Sequence, residues 1–234
     1  MYRERRSRLD GAVVWSRTDA PGGESRVLPD GCMDLLLWNE TLVVAGPDSR
    51  AHLSREQAGD RFTGLRLAPG VGPLVFGVRA YELRDQRVPL SAVWPERAVR
   101  LLAERVAGAP QPGRVLESAA AERLTERRGD GPRAGSVTGT VADLLGRGWG
   151  VAEVARRVGL GERQLHRRCL DAFGYGPKHL ARVLRMRRAL RLADGDTPLA
   201  EVAITAGYAD QAHLSREVRA LAGVAVTQLL GRRP

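Results

Sequence analysis

The sequence predicts an α+β protein. We expect a β-rich N-terminal domain, a small barrel or sandwich, followed by an all-α domain of two helix-turn-helix units joined by a long helix. Three observations predict this fold class: short aliphatic runs between Pro and Gly early in the chain, helical spacing of apolar residues after them, and an internal repeat near the end. The expected units are residues 1–95, a helical connector at 96–128, a linker at 129–135 and the helical domain at 136–234.

The first domain is predicted to consist of strands separated by turns. Pro, Gly and Asp cluster in segments such as Pro29-Asp30-Gly31 and Gly46-Pro47-Asp48, and these residues favour tight turns. Between the turns, aliphatic residues predict strands at residues 12–15, 34–38, 41–45, 65–67 and 74–78.

Two connector helices are predicted over residues 95–107 and 115–128. A helix with one apolar face must bury that face. We expect a homodimer built on these two faces, with packing on the chain's own sheet as the alternative. The faces consist of Val99, Leu102 and Val106 in the first helix and of Leu116, Ala120 and Leu124 in the second. The Gly-rich stretch 129–135 then predicts a linker.

The helical domain contains an internal repeat. Ala152-Glu153-Val154-Ala155 returns 48 residues later as Ala200-Glu201-Val202-Ala203, and Gly159 and Gly207 follow at the same distance. Each glycine is expected to adopt a positive φ in a turn before a longer basic helix. This layout is that of a helix-turn-helix, whose second helix enters the DNA major groove. The predicted helices lie at residues 137–147, 151–158, 163–173, 177–194, 199–206 and 211–222, and Pro177 begins the long one.

Charge is concentrated in this domain. Residues 136–234 hold 16 basic and 9 acidic side chains, which is +7 of the formal net charge of +10. A phosphate backbone is a common reason for such an excess. The alternative is a compositional bias of the coding sequence, since Arg, Ala and Gly are all abundant.

Several motifs of the helical domain resemble those of the AraC/XylS transcription factors. They are Gly176-Pro177-Lys178-x-Leu180, the segment from Arg182 to Ala189, Leu199-Ala200-Glu201-Val202-Ala203, and Gly207-Tyr208-x-Asp210-Gln211-x-His213-Leu214-Ser215-Arg216. The resemblance implies two recognition helices in successive major grooves on one face of the DNA. The implied base-facing residues are Arg163, Gln164, His166 and Arg167 in one groove and Gln211, Ala212, Ser215 and Arg216 in the next. The sequence departs from the family at Cys169 and Val218, where Phe is usual, and at Ala225-Val226, where Ser-Pro is usual.

Other roles remain open for some of these residues. Arg167 and Arg216 could contact phosphates instead of bases, and His166 and His213 could face solvent or phosphate. Glu162 and Asp210 are better explained by the positive end of a helix dipole than by contact with cytosine.

The N-terminal domain resembles a β-rich domain of unassigned ligand found ahead of AraC-type helix-turn-helix domains in actinobacteria. The resemblance rests on residues 28–38, 45–48 and 81–90. In relatives such domains are sensors, which implies a small-molecule effector pocket. The candidate pocket residues are Trp15, Trp38, Phe62 and Phe76, with Trp94 as a further aromatic, and a role in the core is the alternative for each.

Enzymatic activity is not expected. No nucleophile elbow, HExxH motif or phosphate loop is present, so we name no catalytic or metal-binding residue and no cofactor. A methyl-accepting cysteine activated by a four-cysteine zinc site is disfavoured, because Cys32 is the only cysteine before the linker. Cys32 as a redox sensor would require an exposed, acidified thiol.

The sequence therefore predicts a sequence-specific DNA-binding regulator. The chain lacks a run of about 20 apolar residues and a signal peptide, so we expect a cytoplasmic protein without a membrane partner. Candidate partners are double-stranded DNA, a small-molecule effector, RNA polymerase and a second copy of the chain. The alternatives are an N-terminal domain that docks a protein without binding a ligand, and a nonspecific architectural DNA binder.

Overall fold

A computed structural model describes residues 1–18, 21–128, 134–193, 195 and 197–231. Most of the expected linker, residues 129–133, lies outside the described residues, whereas Ala134 and Gly135 already belong to a helix. The strands are β1 (Tyr2–Arg6), β2 (Val13–Arg17), β3 (Pro21–Val27), β4 (Asp34–Trp38), β5 (Thr41–Ala45), β6 (His52–Ala58), β7 (Phe62–Arg66) and β8 (Arg87–Pro89).

The helices follow mainly in the second half. They are α1 (Gly72–Phe76), α2 (Glu96–Ala107), α3 (Pro112–Arg128), α4 (Ala134–Gly146), α5 (Val151–Arg157), α6 (Glu162–Phe173), α7 (Pro177–Leu192), α8 (Leu199–Ala206), α9 (Gln211–Ala222) and α10 (Val226–Leu229). Short 3₁₀ helices lie at Ala80–Leu83 and Leu90–Ala92. Within the described part of the chain, no helix is both long and apolar enough to cross a membrane.

The N-terminal strands form two separate sheets. Six antiparallel strands pair in the order β1-β2-β7-β4-β5-β8, and β3 and β6 form a two-stranded antiparallel ribbon, called the ribbon below. The large sheet is open, so a closed barrel is not formed. The predicted α+β class, with a β-rich domain before an all-α domain, is confirmed.

The two faces of the large sheet have different neighbours because side chains alternate along each strand. Leu35 and Val44 are fully buried on the face that packs against α2 and α3. Leu102 and Leu116 contribute the helix side of the same core. The homodimer predicted on these helix faces is therefore wrong in its location, because the chain's own sheet already covers them.

The strand predicted at 74–78 is also wrong, because Leu74 to Phe76 lie in α1. An aliphatic run of this length fits a strand or a buried helix equally well. Pro73 stands in the first turn and Gly77 ends the helix with φ +81°, and both features favour a helix over a strand.

The helical domain has its own core. Among the described residues, its buried apolar residues come from residues 141–226, and Leu28 of the N-terminal domain is a partly buried hydrophobic residue that packs against them. Gly159 and Gly207 adopt φ values of +69° and +89°, which confirms the turn predicted in each unit. Pro177 begins α7, as predicted.

Candidate functional site

The second helices of the two helix-turn-helix units expose the residues that the sequence singled out. On α6, all four predicted base-facing residues are exposed, namely Arg163, Gln164, His166 and Arg167. On α9, Gln211, Ala212 and Arg216 are exposed and Ser215 is half-buried. The opposite faces are anchored by Leu165 and Leu214, both fully buried. Each helix thus presents a polar face while its apolar face holds it in the core.

Local hydrogen bonds define where the two helices begin. Gln164 Oε1 accepts a hydrogen bond from the Gly161 N–H at 3.0 Å, so its carbonyl group stabilises the start of α6. Asp210 caps α9 by accepting from the His213 N–H at 2.6 Å, which supports the predicted role of its charge. His213 Nδ1 accepts a hydrogen bond from the Ala209 N–H at 3.3 Å, so this imidazole stabilises the turn before α9.

The departures from the family pattern lie in the core. Cys169 and Val218 are buried at the positions where Phe is usual, and Val226 is buried at the start of α10. These departures therefore lie in the packed interior of the helical domain, away from the exposed faces of α6 and α9.

Helix α7 forms an ion pair with α9 and a cation–π contact with the turn before α9. Arg182 forms a bidentate ion pair with Glu217, with distances of 2.8 and 3.2 Å from its Nε and Nη2 atoms to the carboxylate oxygens. The Arg185 guanidinium lies 5.5 Å from the ring centroid of Tyr208. Because Glu217 directly follows Arg216, the ion pair orients the part of α9 that carries a predicted base contact.

A cavity of about 530 Å³ lies between the ribbon and the large sheet. Trp15, Trp38 and Phe62 line it, as predicted, and the Trp38 and Phe62 rings stack with centroids 5.5 Å apart. Gly64 has no side chain, and the Trp15 indole occupies the space where a Cβ atom would lie. Phe76 and Trp94 do not line this cavity, because both are buried in the core on the helix side of the sheet.

Paired charges stand at the cavity wall among these apolar groups. Trp15 Nε1 donates to Asp34 at 2.7 Å, and Arg66 Nε lies 3.2 Å from Asp30. Burial raises the pKa of the Asp34 carboxyl to about 6, although Arg66 and the Trp15 N–H act in the opposite direction. Arg187 of α7 also lines the cavity, so the helical domain contributes to its wall.

Asp34, Arg66 and Arg187 also line the cavity, although they were not among the residues predicted for a pocket. Asp34, Leu36 and Trp38 alternate along β4 with the core residues Leu35 and Leu37, and this period of two was the available signal. No local signal marks Arg187, because its position depends on how the two domains pack.

Cys32 lines the same cavity but is not an activated thiol. Burial, and then the nearby Asp30 and Asp34, raise the pKa of the Cys32 thiol well above its ordinary value. Since only the thiolate is a good nucleophile, the environment disfavours the redox-sensor alternative. Among the described residues, no group of three or more His, Cys, Asp or Glu side chains could hold a metal ion.

The N-terminal domain contacts the ends of both recognition helices. At the end of α6, Arg84 Nη1 donates to the Gly174 carbonyl at 3.4 Å, and Arg79 Nε lies 3.9 Å from Asp171. At the end of α9, Arg26 Nη1 donates to the Ala222 carbonyl at 2.8 Å, and the Ala51 N–H donates to the Leu221 carbonyl at 2.6 Å. Helix-terminal carbonyls lack partners within their own helix, so these donors satisfy them.

Two family models match the chain. One, described as a helix-turn-helix domain, matches residues 154–232, and the other, described as a domain of unknown function (DUF6597), matches residues 12–89. No curated protein sequence matches.

Solved structures match the chain at low sequence identity. An apo variant of ToxT from Vibrio cholerae has a TM-score of 0.52 and 13% identity, covering 97% of this chain and 99% of that one. Wild-type ToxT with a bound unsaturated fatty acid has a TM-score of 0.49 and 13% identity, covering 94% of each chain. A probable AraC family transcriptional regulator from Rhodopseudomonas palustris has 20% identity and a TM-score of 0.37, covering 42% of this chain and 99% of that one.

Proposed function

Because this chain belongs to the AraC/XylS family of transcriptional regulators, we propose that it recognises a specific operator through both helix-turn-helix units and that a small organic effector in its N-terminal cavity controls this binding. Its family identifies the chain as a DNA-binding transcriptional regulator. The operator, the residue roles and the effector belong to the proposal.

One observation carries the proposed DNA contact. Helices α6 and α9 each follow the turn of a helix-turn-helix unit, and each exposes a basic, polar face. A single core and α7 hold the two helices together. A helix of this kind fits the major groove, and two such units reach two groove segments about one helical turn, ~10 base pairs, apart. The proposed base contacts are those of Arg163, Gln164, His166 and Arg167 on α6 and of Gln211, Ala212, Ser215 and Arg216 on α9.

Selection of binding sites from random DNA, followed by footprinting, tests this proposal. We expect two protected segments about 10 base pairs apart and much tighter binding to the selected site than to random DNA. A single short footprint would contradict the two-groove arrangement. Equal affinity for all sequences would favour a nonspecific architectural protein.

The cavity supports the proposed effector. It combines an aromatic wall, formed by Trp15, Trp38 and Phe62, with charged and polar groups that include Asp34 and Arg66. Its volume of about 530 Å³ lies within the range of about 300 to 1,000 Å³ that is typical of small-molecule sites. We propose an effector with a flat apolar part that stacks on the aromatic rings and a polar group that reaches the Arg66 end.

Thermal unfolding with a metabolite library tests the effector proposal. A true effector at 100 times its dissociation constant adds about 2.7 kcal/mol to the free energy of unfolding. Leu36→Trp, which narrows the cavity, should remove this stabilisation, whereas Leu101→Trp on the exposed face of α2 should retain it. No stabilisation by any compound would favour the alternative of a protein-docking domain.

A further inference from the structure

Helix α7 contacts the second helix-turn-helix unit at two points. Arg182 and Arg185 lie three residues apart in α7, so their side chains project from the same face of this helix. Arg182 pairs with Glu217 in the middle of α9, and the Arg185 guanidinium lies over the buried ring of Tyr208, in the turn before α9. One contact therefore holds the turn, and the other holds the recognition helix about two helical turns further along.

Both contacts reach the same flank of α9. His213 and Glu217 are four residues apart, so they are neighbours on one face of this helix. The rings of His213 and Tyr208 are perpendicular, with centroids 5.2 Å apart. Since Tyr208 lies beneath the Arg185 guanidinium, the turn and this flank of α9 are held against α7 together.

The ion pair fixes direction as well as distance. Nε and Nη2 of Arg182 donate to different carboxylate oxygens of Glu217, which is the fork geometry of a bidentate pair. The hydrogen bonds from Arg182 lower the pKa of the Glu217 carboxyl, so Glu217 is ionised at neutral pH. A rotation of α9 about its own axis would misalign both bonds, and hydrogen bonds weaken steeply with misalignment.

The first unit carries different residues at the corresponding positions. In the repeat, Arg168 of α6 stands where Glu217 stands in α9, and Leu160 stands where Tyr208 stands. A guanidinium at position 168 repels an arginine instead of pairing with it, and a leucine offers no aromatic ring to a cation. The contacts that orient α9 therefore cannot be repeated in α6.

On the premise that the chain recognises an operator as proposed above, we propose that the two contacts with α7 set the rotation of α9 in the major groove. Glu217 is then a positioning residue for base preference in the second half-site alone, which is the DNA segment that α9 reads. Arg216 directly precedes Glu217, so any rotation of α9 moves the Arg216 guanidinium relative to the base edges. Loss of the ion pair therefore weakens discrimination between bases, because a bidentate contact with a base depends on alignment.

The test compares Glu217→Ala with Arg182→Ala in the full-length protein. Discrimination is the dissociation constant for an operator with one changed base pair divided by that for the selected operator, and fluorescence anisotropy measures it in each half-site. Both variants should lower discrimination by about threefold or more in the second half-site and change it by less than about twofold in the first. Their effects on overall affinity should be opposite in sign, because one variant removes a negative charge near the phosphates and the other removes a positive charge.

Matched controls remove the same charges elsewhere. Glu201→Ala on α8 and Arg191→Ala on α7 replace exposed residues, and discrimination should stay within about twofold in both half-sites. The double variant Arg182→Ala/Glu217→Ala should lose no more discrimination than either single variant, because both residues act through one ion pair. Glu217→Gln keeps an acceptor for Arg182 and should lose less discrimination than Glu217→Ala.

Two results would overturn this role of Glu217. One is unchanged discrimination in the second half-site for every single variant that circular dichroism shows to be folded. The other is an equal loss in both half-sites, because it would indicate a general effect on the helical domain. Failure of the wild-type protein to discriminate between any DNA sequences is a separate result, because it would contradict the proposed function itself.

Discussion

At the residue scale, a few exposed side chains on buried scaffolds carry the proposed recognition. Arg167 and Arg216 occupy equivalent positions of the repeat, two residues after the buried Leu165 and Leu214. An arginine at such a position can donate two hydrogen bonds to guanine.

Arg167→Ala and Arg216→Ala should each weaken specific binding by about 1 to 3 kcal/mol and relax discrimination at one base pair of the corresponding half-site. Fluorescence anisotropy with single-base-pair variants of the operator measures both effects. Arg168→Ala, also exposed on α6, serves as a control and should not alter base preference. If the arginines bind only phosphate, the loss will be uniform over all sequences.

Glu117 is a buried carboxylate that ties α3 to the N-terminal strand. It accepts hydrogen bonds from Arg5 at 2.7 and 3.1 Å and from the Arg8 N–H at 2.9 Å. Burial acts to raise the pKa of Glu117, but the hydrogen bonds from Arg5, Ser7 and the Arg8 N–H outweigh it and lower the pKa to about 2. A depressed carboxyl pKa stabilises the folded state above the unfolded value of about 4.5, and this stabilisation is lost as the pH falls toward 2.

Glu117→Gln should therefore destabilise the N-terminal domain by about 1.5 kcal/mol at pH 7, the low end for bonds to a charged group because Arg5 is half-exposed. The difference from wild type should shrink between pH 4.5 and 2. Urea unfolding at several pH values measures it. Glu122 lies on the same helix as Glu117 and is the exposed partner of Arg105 of α2. Glu122→Gln should change stability by less than about 1 kcal/mol. A pH-independent difference would contradict this account.

At the element scale, α2 and α3 complete the core of the large sheet. Leu116 is fully buried and Leu102 is 3% exposed, so the apolar faces of α2 and α3 are buried within a single chain. A dimer, if one forms, must use another surface.

Leu116→Ala should destabilise the N-terminal domain by about 2 to 5 kcal/mol, because it removes buried methyl groups and leaves a cavity. The molar mass in solution should stay that of the wild type, which light scattering measures. Leu101→Ala, on the exposed side of α2, should change stability by less than about 0.5 kcal/mol. A change of oligomeric state in Leu116→Ala with little loss of stability would indicate that this face binds a second chain after all.

At the scale of the whole molecule, two separate cores are joined by contacts at the ends of α6 and α9. The core of the helical domain takes its fully buried residues from its own helices. The contacts across the domains include hydrogen bonds to helix-terminal carbonyls, which water can replace when the domains are separated, and apolar packing such as that of Leu28 on the helical core.

A fragment of residues 136–234 should therefore fold alone and bind the operator. Its affinity should fall with monovalent salt, with a log-log slope of about −0.9 for each phosphate contacted. Circular dichroism and anisotropy titrations at several salt concentrations measure these properties. An insoluble fragment would show that the domain boundary is wrong, and a flat salt dependence would contradict contact of the basic helices with DNA.

The sequence by itself determined the helical domain, because its signals are local. The turn glycines, Gly159 and Gly207, and the spacing of the apolar residues each depend on neighbours within about one helical turn. The repeat shows the same local pattern twice. The base-facing residues of α6 and α9 were named from the resemblance of this domain to the AraC/XylS transcription factors. The strands β4 and β5 were predicted because their aliphatic residues mark buried strands locally.

Only the tertiary structure decided how distant segments meet. The ribbon strands β3 and β6 carry mostly polar residues, so no hydrophobic pattern marked them, and they form because each completes the other's backbone hydrogen bonds. Arg26 meets the Ala222 carbonyl across 196 residues of sequence, and Arg187 reaches a cavity in the other domain. Such contacts depend on the packing of complete elements, which a local pattern does not encode, and therefore the cavity and the contact of Arg26 with α9 emerged only from the folded chain.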